Sequence, residues 1–159
     1  MRVFKKIVWG LLILLVLIQF IPRSINKSDK ITPTDIVNNY RVPDQVQSVL
    51  NRACYDCHSN NTRYPWYAHV QPFRLLLDRH IIDGKEELNF SEYGSYSKKR
   101  QFNKLKSIGE SLEEGTMPLK SYRIMHADAR LTEAEKAVVL KWVEDTRNLI
   151  VEGKSKTSL

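Results

Sequence analysis

Cys54-Tyr55-Asp56-Cys57-His58 places two thiols and an imidazole within five residues, and Cys54 and Cys57 are the chain's whole complement of cysteine. This C-x-x-C-H run has the spacing by which a c-type haem is attached. Two thiols separated by two residues reach the two haem vinyl groups from one turn of chain and add across them as thioethers. The histidine that follows falls under the iron and offers a ring nitrogen as the proximal ligand. The expected cofactor is one covalent haem c, on Cys54 and Cys57, with His58 on the iron.

Two other uses of such a run have to be weighed. A thioredoxin-like dithiol sits in a βαβ setting, and no alternation of strand and helix patterns is visible. A structural zinc module needs four ligands, usually from a second such pair. The remaining histidines, His69, His80 and His126, are too widely spaced in sequence to supply it.

The chain has 159 residues and a formal charge of +7, enough for one domain with a modest core. The charge is concentrated at the N-terminus. Arg2, Lys5, Lys6, Arg23, Lys27 and Lys30 face the single acid Asp29 within residues 1–30, which leaves +2 for all the rest. A nucleic-acid surface is therefore a poor reading, and an anionic membrane surface a better one. The basic residues flank Ile7 to Ile21, IVWGLLILLVLIQFI, interrupted only by Gly10 and Gln19. The run is shorter than the ~20 residues of a usual span, but Val3 and Phe4 extend it. Pro22-Arg23-Ser24 follows, with no small-residue cleavage site. Residues 1–21 are read as an uncleaved signal-anchor that crosses the membrane once. Haem c is attached on the outer side of the bacterial cytoplasmic membrane, so the expected site of the domain is periplasmic.

Residues 22–41 are polar and carry Pro22 and Pro33, and are expected to be an irregular tether without core contacts. The haem domain is expected over 42–151, with a frayed polar tail at 152–159. A first helix from Pro43 carries Val46, Val49, Leu50 and Ala53 toward the motif at helical spacing. After a polar turn at 59–63, Tyr64-Pro65-Trp66-Tyr67 puts aromatics close behind the motif. Tyr64 and Trp66 are candidates for a pocket wall. A second helix is expected from Pro72 to Asp83 with Gly84 as its stop, and a third from Ser97 to Glu114, stopped by Gly115. The lysines and arginines of the third helix read as a solvated face, with a docking patch for an acidic partner as the lesser reading. Thr132-Glu133-Ala134-Glu135 matches a capping box and opens a last helix to about Ile150.

Gly115-Thr116-Met117-Pro118 follows a helix stop. A thioether on a loop across the haem is a common sixth ligand in electron-transfer cytochromes, and a proline beside it stiffens the loop. Met117 is the expected distal ligand, with His126 as the alternative and Pro118 as a pocket residue.

The segments CYDCHSNNTRYPWY, GTMPLKSY and MHADARLTEAEKAVVLKWV resemble the bacterial haem-binding domain family, over roughly residues 35–150. The resemblance implies an all-α, mono-haem, cytochrome c-like fold in which the first and last helices cross. It implies haem attachment at Cys54 and Cys57, proximal ligation by His58 and, by analogy with cytochromes, distal ligation by Met117. The expected function is one-electron transfer, not catalysis, with a redox partner protein in or at the cytoplasmic membrane and lipid around the N-terminal helix. A haem-based sensor or peroxidase-like protein with a displaceable distal ligand is the alternative, using Tyr122 or His126.

Overall fold

In the computed structural model, residues 1–22, 24–28, 30 and 32–153 are described. The fold is all-α. Among the described residues there is no strand, and Lys27 and Asn61 form an isolated antiparallel bridge. Arg23, Asp29 and Ile31 of the expected tether, and the expected tail from 154 onward, lie outside the described residues.

The first helix, α1, runs from Arg2 to Leu17 and continues as a 3₁₀ turn to Phe20. The helical segment Arg2–Phe20 has a mean hydropathy of 2.1 and buries none of it against the protein. Nineteen residues at ~1.5 Å each make a rod of ~28 Å, close to the ~30 Å of a bilayer's hydrocarbon. It is long and apolar enough to cross a membrane.

The segment 22–41 differs from expectation, because it packs. Asn26 donates its backbone N–H to the Tyr64 hydroxyl at 2.7 Å, and its side-chain amide to the Ser59 carbonyl and Thr62 Oγ1, each at 2.9 Å. Its own amide oxygen accepts from Lys85 at 2.8 Å. A short helix, α2 (Ile36–Asn39), is capped by the Asp35 side chain and buries Ile36, while Tyr40 follows it into the core. The polar composition that suggests a tether is the composition of a strap whose amides and hydroxyls find partners on the domain.

Helix α3 (Asp44–Ala53) begins just after Pro43 and buries Val46, Val49, Leu50 and Ala53, the stripe read from sequence. At Cys54 the backbone leaves helical geometry (φ −127°, ψ −46°), and one further turn, α4 (Tyr55–His58), carries the rest of the motif. Helix α5 covers Phe73–Glu87 and so runs through Gly84, which is not its stop. The reason is contact. A Cβ on Gly84 would sit 2.7 Å from the Cys57 carbonyl oxygen and 3.1 Å from Cys57 Cβ, so the missing side chain lets α5 lie against α4. Helix α6 (Lys98–Glu113) is capped by Ser97, and Gly115 takes φ +67° after it, as a helix stop requires. A short α7 (Lys120–Met125) was not expected. The last helix, α8 (Glu133–Val151), has both halves of the Thr132/Glu135 capping box in place.

The main core joins α3, α6 and α8 with Tyr40, Phe90 and Tyr93. The first and last helices of the domain, α3 and α8, are packed on one another. Trp142 of α8 is buried there and donates its indole N–H to the Arg41 carbonyl at 3.1 Å. The core thus braces α3 from behind and leaves its motif end free to face a cavity.

Candidate functional site

Between the motif turn, α5, α6 and the loop after α6 lies a cavity of ≈ 500 Å³. This falls within the roughly 300–1,000 Å³ of cofactor pockets. Cys54, Cys57 and His58 line one part of it, and Met117, Pro118 and Leu119 another. Leu50, Phe90, Ile108 and Leu112 make much of the remaining wall apolar. Residues more than sixty positions apart in sequence therefore meet around one space.

The motif histidine is already oriented. His58 Nδ1 lies 3.1 Å from the Leu88 carbonyl oxygen, which can only accept, so Nδ1 carries the proton and Nε2 keeps its lone pair. Burial holds the imidazole's pKa below its ordinary value, which keeps it neutral and able to ligate. The two thiols are free of one another. Burial first, then the neighbouring Cys57, pushes Cys54 up to about 12, and burial with the negative Asp56 pushes Cys57 up to about 11. A redox dithiol needs a thiol activated in the opposite direction, so the thioredoxin-like reading loses its footing. Among the described residues no group of three or more His, Cys, Asp or Glu is placed to hold a metal ion.

A residue that sequence reasoning passed over stands at the centre of the motif turn. Asp56, between the cysteines, is buried, and its carboxylate accepts the Tyr122 hydroxyl at 2.6 Å. It also accepts the Arg63 backbone N–H at 2.9 Å and two guanidinium N–H groups at 3.2 Å. Tyr122 belongs to α7, so Asp56 ties the motif to the segment that follows Met117. The signal was faint: an acid inside the motif and an arginine seven residues on.

His126, the alternative ligand, does not line the cavity. Its ring stacks on Tyr122 with centroids 4.0 Å apart, and its Nε2 meets the Tyr67 hydroxyl at 2.7 Å. The expected aromatic wall is also displaced. Tyr64 turns to Asn26 and lies under the Arg74 guanidinium at 4.5 Å. Trp66 is 76% exposed. Neither lines the cavity, and Tyr67, the buried aromatic of this stretch, packs on Ala68, Leu77 and Ile81 instead of the cavity. His80 does line the cavity, as does Lys104.

A haem-binding domain model matches residues 13–145. The chain belongs to the haem-binding domain family. No curated protein and no solved structure matches it. The residues around the cavity suit the group that the family name specifies. A mostly apolar cavity of porphyrin scale, with a neutral imidazole held through its Nδ1 and a methionine on the lining, suits a haem. Haem binding thus rests on the family and on the fit of the cavity together.

Proposed function

We propose that this haem-binding domain is a membrane-anchored, mono-haem c-type electron carrier, held by α1 and standing on the periplasmic face of the cytoplasmic membrane. The observation that carries the reading is the convergence of Cys54, Cys57, His58 and Met117 on one apolar cavity. Haem, when bound, supplies a one-electron couple at its iron. Everything else falls to the chain.

Cys54 and Cys57 would fix the porphyrin covalently. His58 would take the proximal position, its ring held by the Leu88 carbonyl. Met117 would take the distal position, and a thioether there raises the potential relative to a second imidazole. Apolar walls exclude water and so disfavour the more highly charged ferric state. Tyr122 and His126, the two groups that the alternative would use at a displaceable distal site, are already engaged, with Asp56 and with Tyr67. This favours electron transfer over the sensor or peroxidase-like alternative. The partner would be a redox protein in or at the same membrane.

The native chain, made in cells that attach haem c, is expected to carry the added mass of one porphyrin. Oxidised, it should show the weak far-red band of thioether-to-iron charge transfer, and Met117→Ala should abolish that band and lower the potential. A native chain without the porphyrin mass would remove the proposal. A band that survives the substitution would remove Met117 from the iron.

A further inference from the structure

The 3₁₀ turn after α1 is clasped to the domain at one point. Gln19 donates its side-chain amide to the Gln71 carbonyl at 3.3 Å and accepts the Gln71 backbone N–H at 3.0 Å. Three residues on, the buried Arg74 guanidinium donates to the Ser24 carbonyl, which follows the same helix. Gln19 lies in the final turn of the apolar rod. If that rod spans a bilayer, Gln19 is at the outer boundary of the hydrocarbon, and Gln71 is within a hydrogen bond of it.

Around Gln71 the domain exposes large apolar side chains. Trp66 is 76% exposed, Val70 42%, Phe73 53% and Leu76 53%. Trp66 and Phe73 are gathered about one ring. The Tyr67 ring makes edge contacts with both Trp66, at 6.0 Å between centroids, and Phe73, at 6.4 Å. None of the four lines the haem cavity, so the cofactor does not cover them. The stretch from Tyr64 to Leu77 contains no acidic residue. Tryptophan and phenylalanine beside the end of a spanning helix suit the headgroup boundary of a membrane, and Arg74, the one cation of the stretch, is paired with Asp78.

We infer that the face formed by Trp66, Val70, Phe73 and Leu76 is a second membrane contact, seated in the lipid interface beside the outer end of α1. The inference rests on the reading of α1 as a membrane anchor and adds a fixed attitude of the domain on the bilayer.

Photolabelling of the full-length haem-loaded protein in liposomes tests it. The liposomes contain anionic phospholipid and a phospholipid bearing a diazirine near the headgroup end of one acyl chain. Trypsin cleavage after Arg63 and Arg74 releases residues 64–74 as one peptide. Lipid adducts are expected on that peptide as well as on α1. The Trp66→Ser/Phe73→Ser pair should cut the adducts on residues 64–74 severalfold while those on α1 stay constant and the haem spectrum is unchanged. Labelling of α1 with residues 64–74 no more labelled than α6 overturns the second contact and leaves the anchor standing. Absence of label from α1 itself overturns the anchor reading and this inference with it.

Discussion

Asp56→Ala is expected to lower the stability of the haem-loaded protein by about 3 kcal/mol, more than a hundredfold in the folding equilibrium. The substitution leaves the Tyr122 hydroxyl buried without an acceptor, and an unsatisfied buried polar group costs roughly 1–3 kcal/mol. The Arg63 backbone N–H is orphaned as well. Arg63 itself contributes less, since its side chain is 60% exposed and water can take over its solvation. Asp56→Asn should cost less, because an amide oxygen still accepts from Tyr122. Denaturant titration of the detergent-solubilised protein reads this as a lower midpoint at unchanged slope. An alanine variant as stable as the parent would mean that the Asp56–Tyr122 tie does not hold in solution.

The second large effect concerns Gly84. Gly84→Ala is expected to lose about 1–2 kcal/mol net and to reduce the yield of haem-loaded protein, with Gly84→Val worse on both counts. An added Cβ falls 2.7 Å from a backbone oxygen of Cys57, so α4 must shift, and α4 is the turn that presents the motif. Gly109→Ala is the internal control. Gly109 is also mid-helix, but its added Cβ would meet only Leu140 and Val143 at 3.7 Å, an ordinary contact. There the gain in helix propensity should dominate, raising stability by roughly 0.5–1 kcal/mol. Equal behaviour of the two alanines in unfolding would contradict the close approach of α5 to the motif.

The two glycines also explain what can be read from a chain and what cannot. Glycine serves either where φ is positive or where a Cβ would collide. Gly115 is the first kind, and its place after a periodic helix announced it. Gly84 is the second kind, and only a neighbour from a distant part of the chain distinguishes it from a stop. The same division runs through the site. Cys54, Cys57 and His58 are local chemistry at fixed spacing and needed no partner to be recognised. The α3 stripe and the Thr132 capping box are local as well. Asp56 takes its meaning from Tyr122, sixty-six residues away. Tyr64 and Trp66 follow the motif closely in sequence, yet neither lines the cavity. Hydrophilic side chains suggest a solvated tether at 22–41, but they can also find partners on the domain, as Asn26 does by donating its amide to Ser59 and Thr62.

That strap has a further consequence once the apolar helix is in a bilayer. Twenty residues of loose chain could reach on the order of 65 Å at ~3.3 Å each. Held at Asn26, Ile36 and Tyr40, the described part of the segment leaves little slack. His80, on the cavity lining, is seven residues from Phe73, ~10 Å along the helix. If the domain is the membrane-anchored carrier proposed above, it is a post rather than a ferry: it would not swing between distant stations, and its partners would have to come to it by two-dimensional diffusion or by descending onto it. A flexible insertion in the strap would change the radius of encounter without touching the chemistry of the iron.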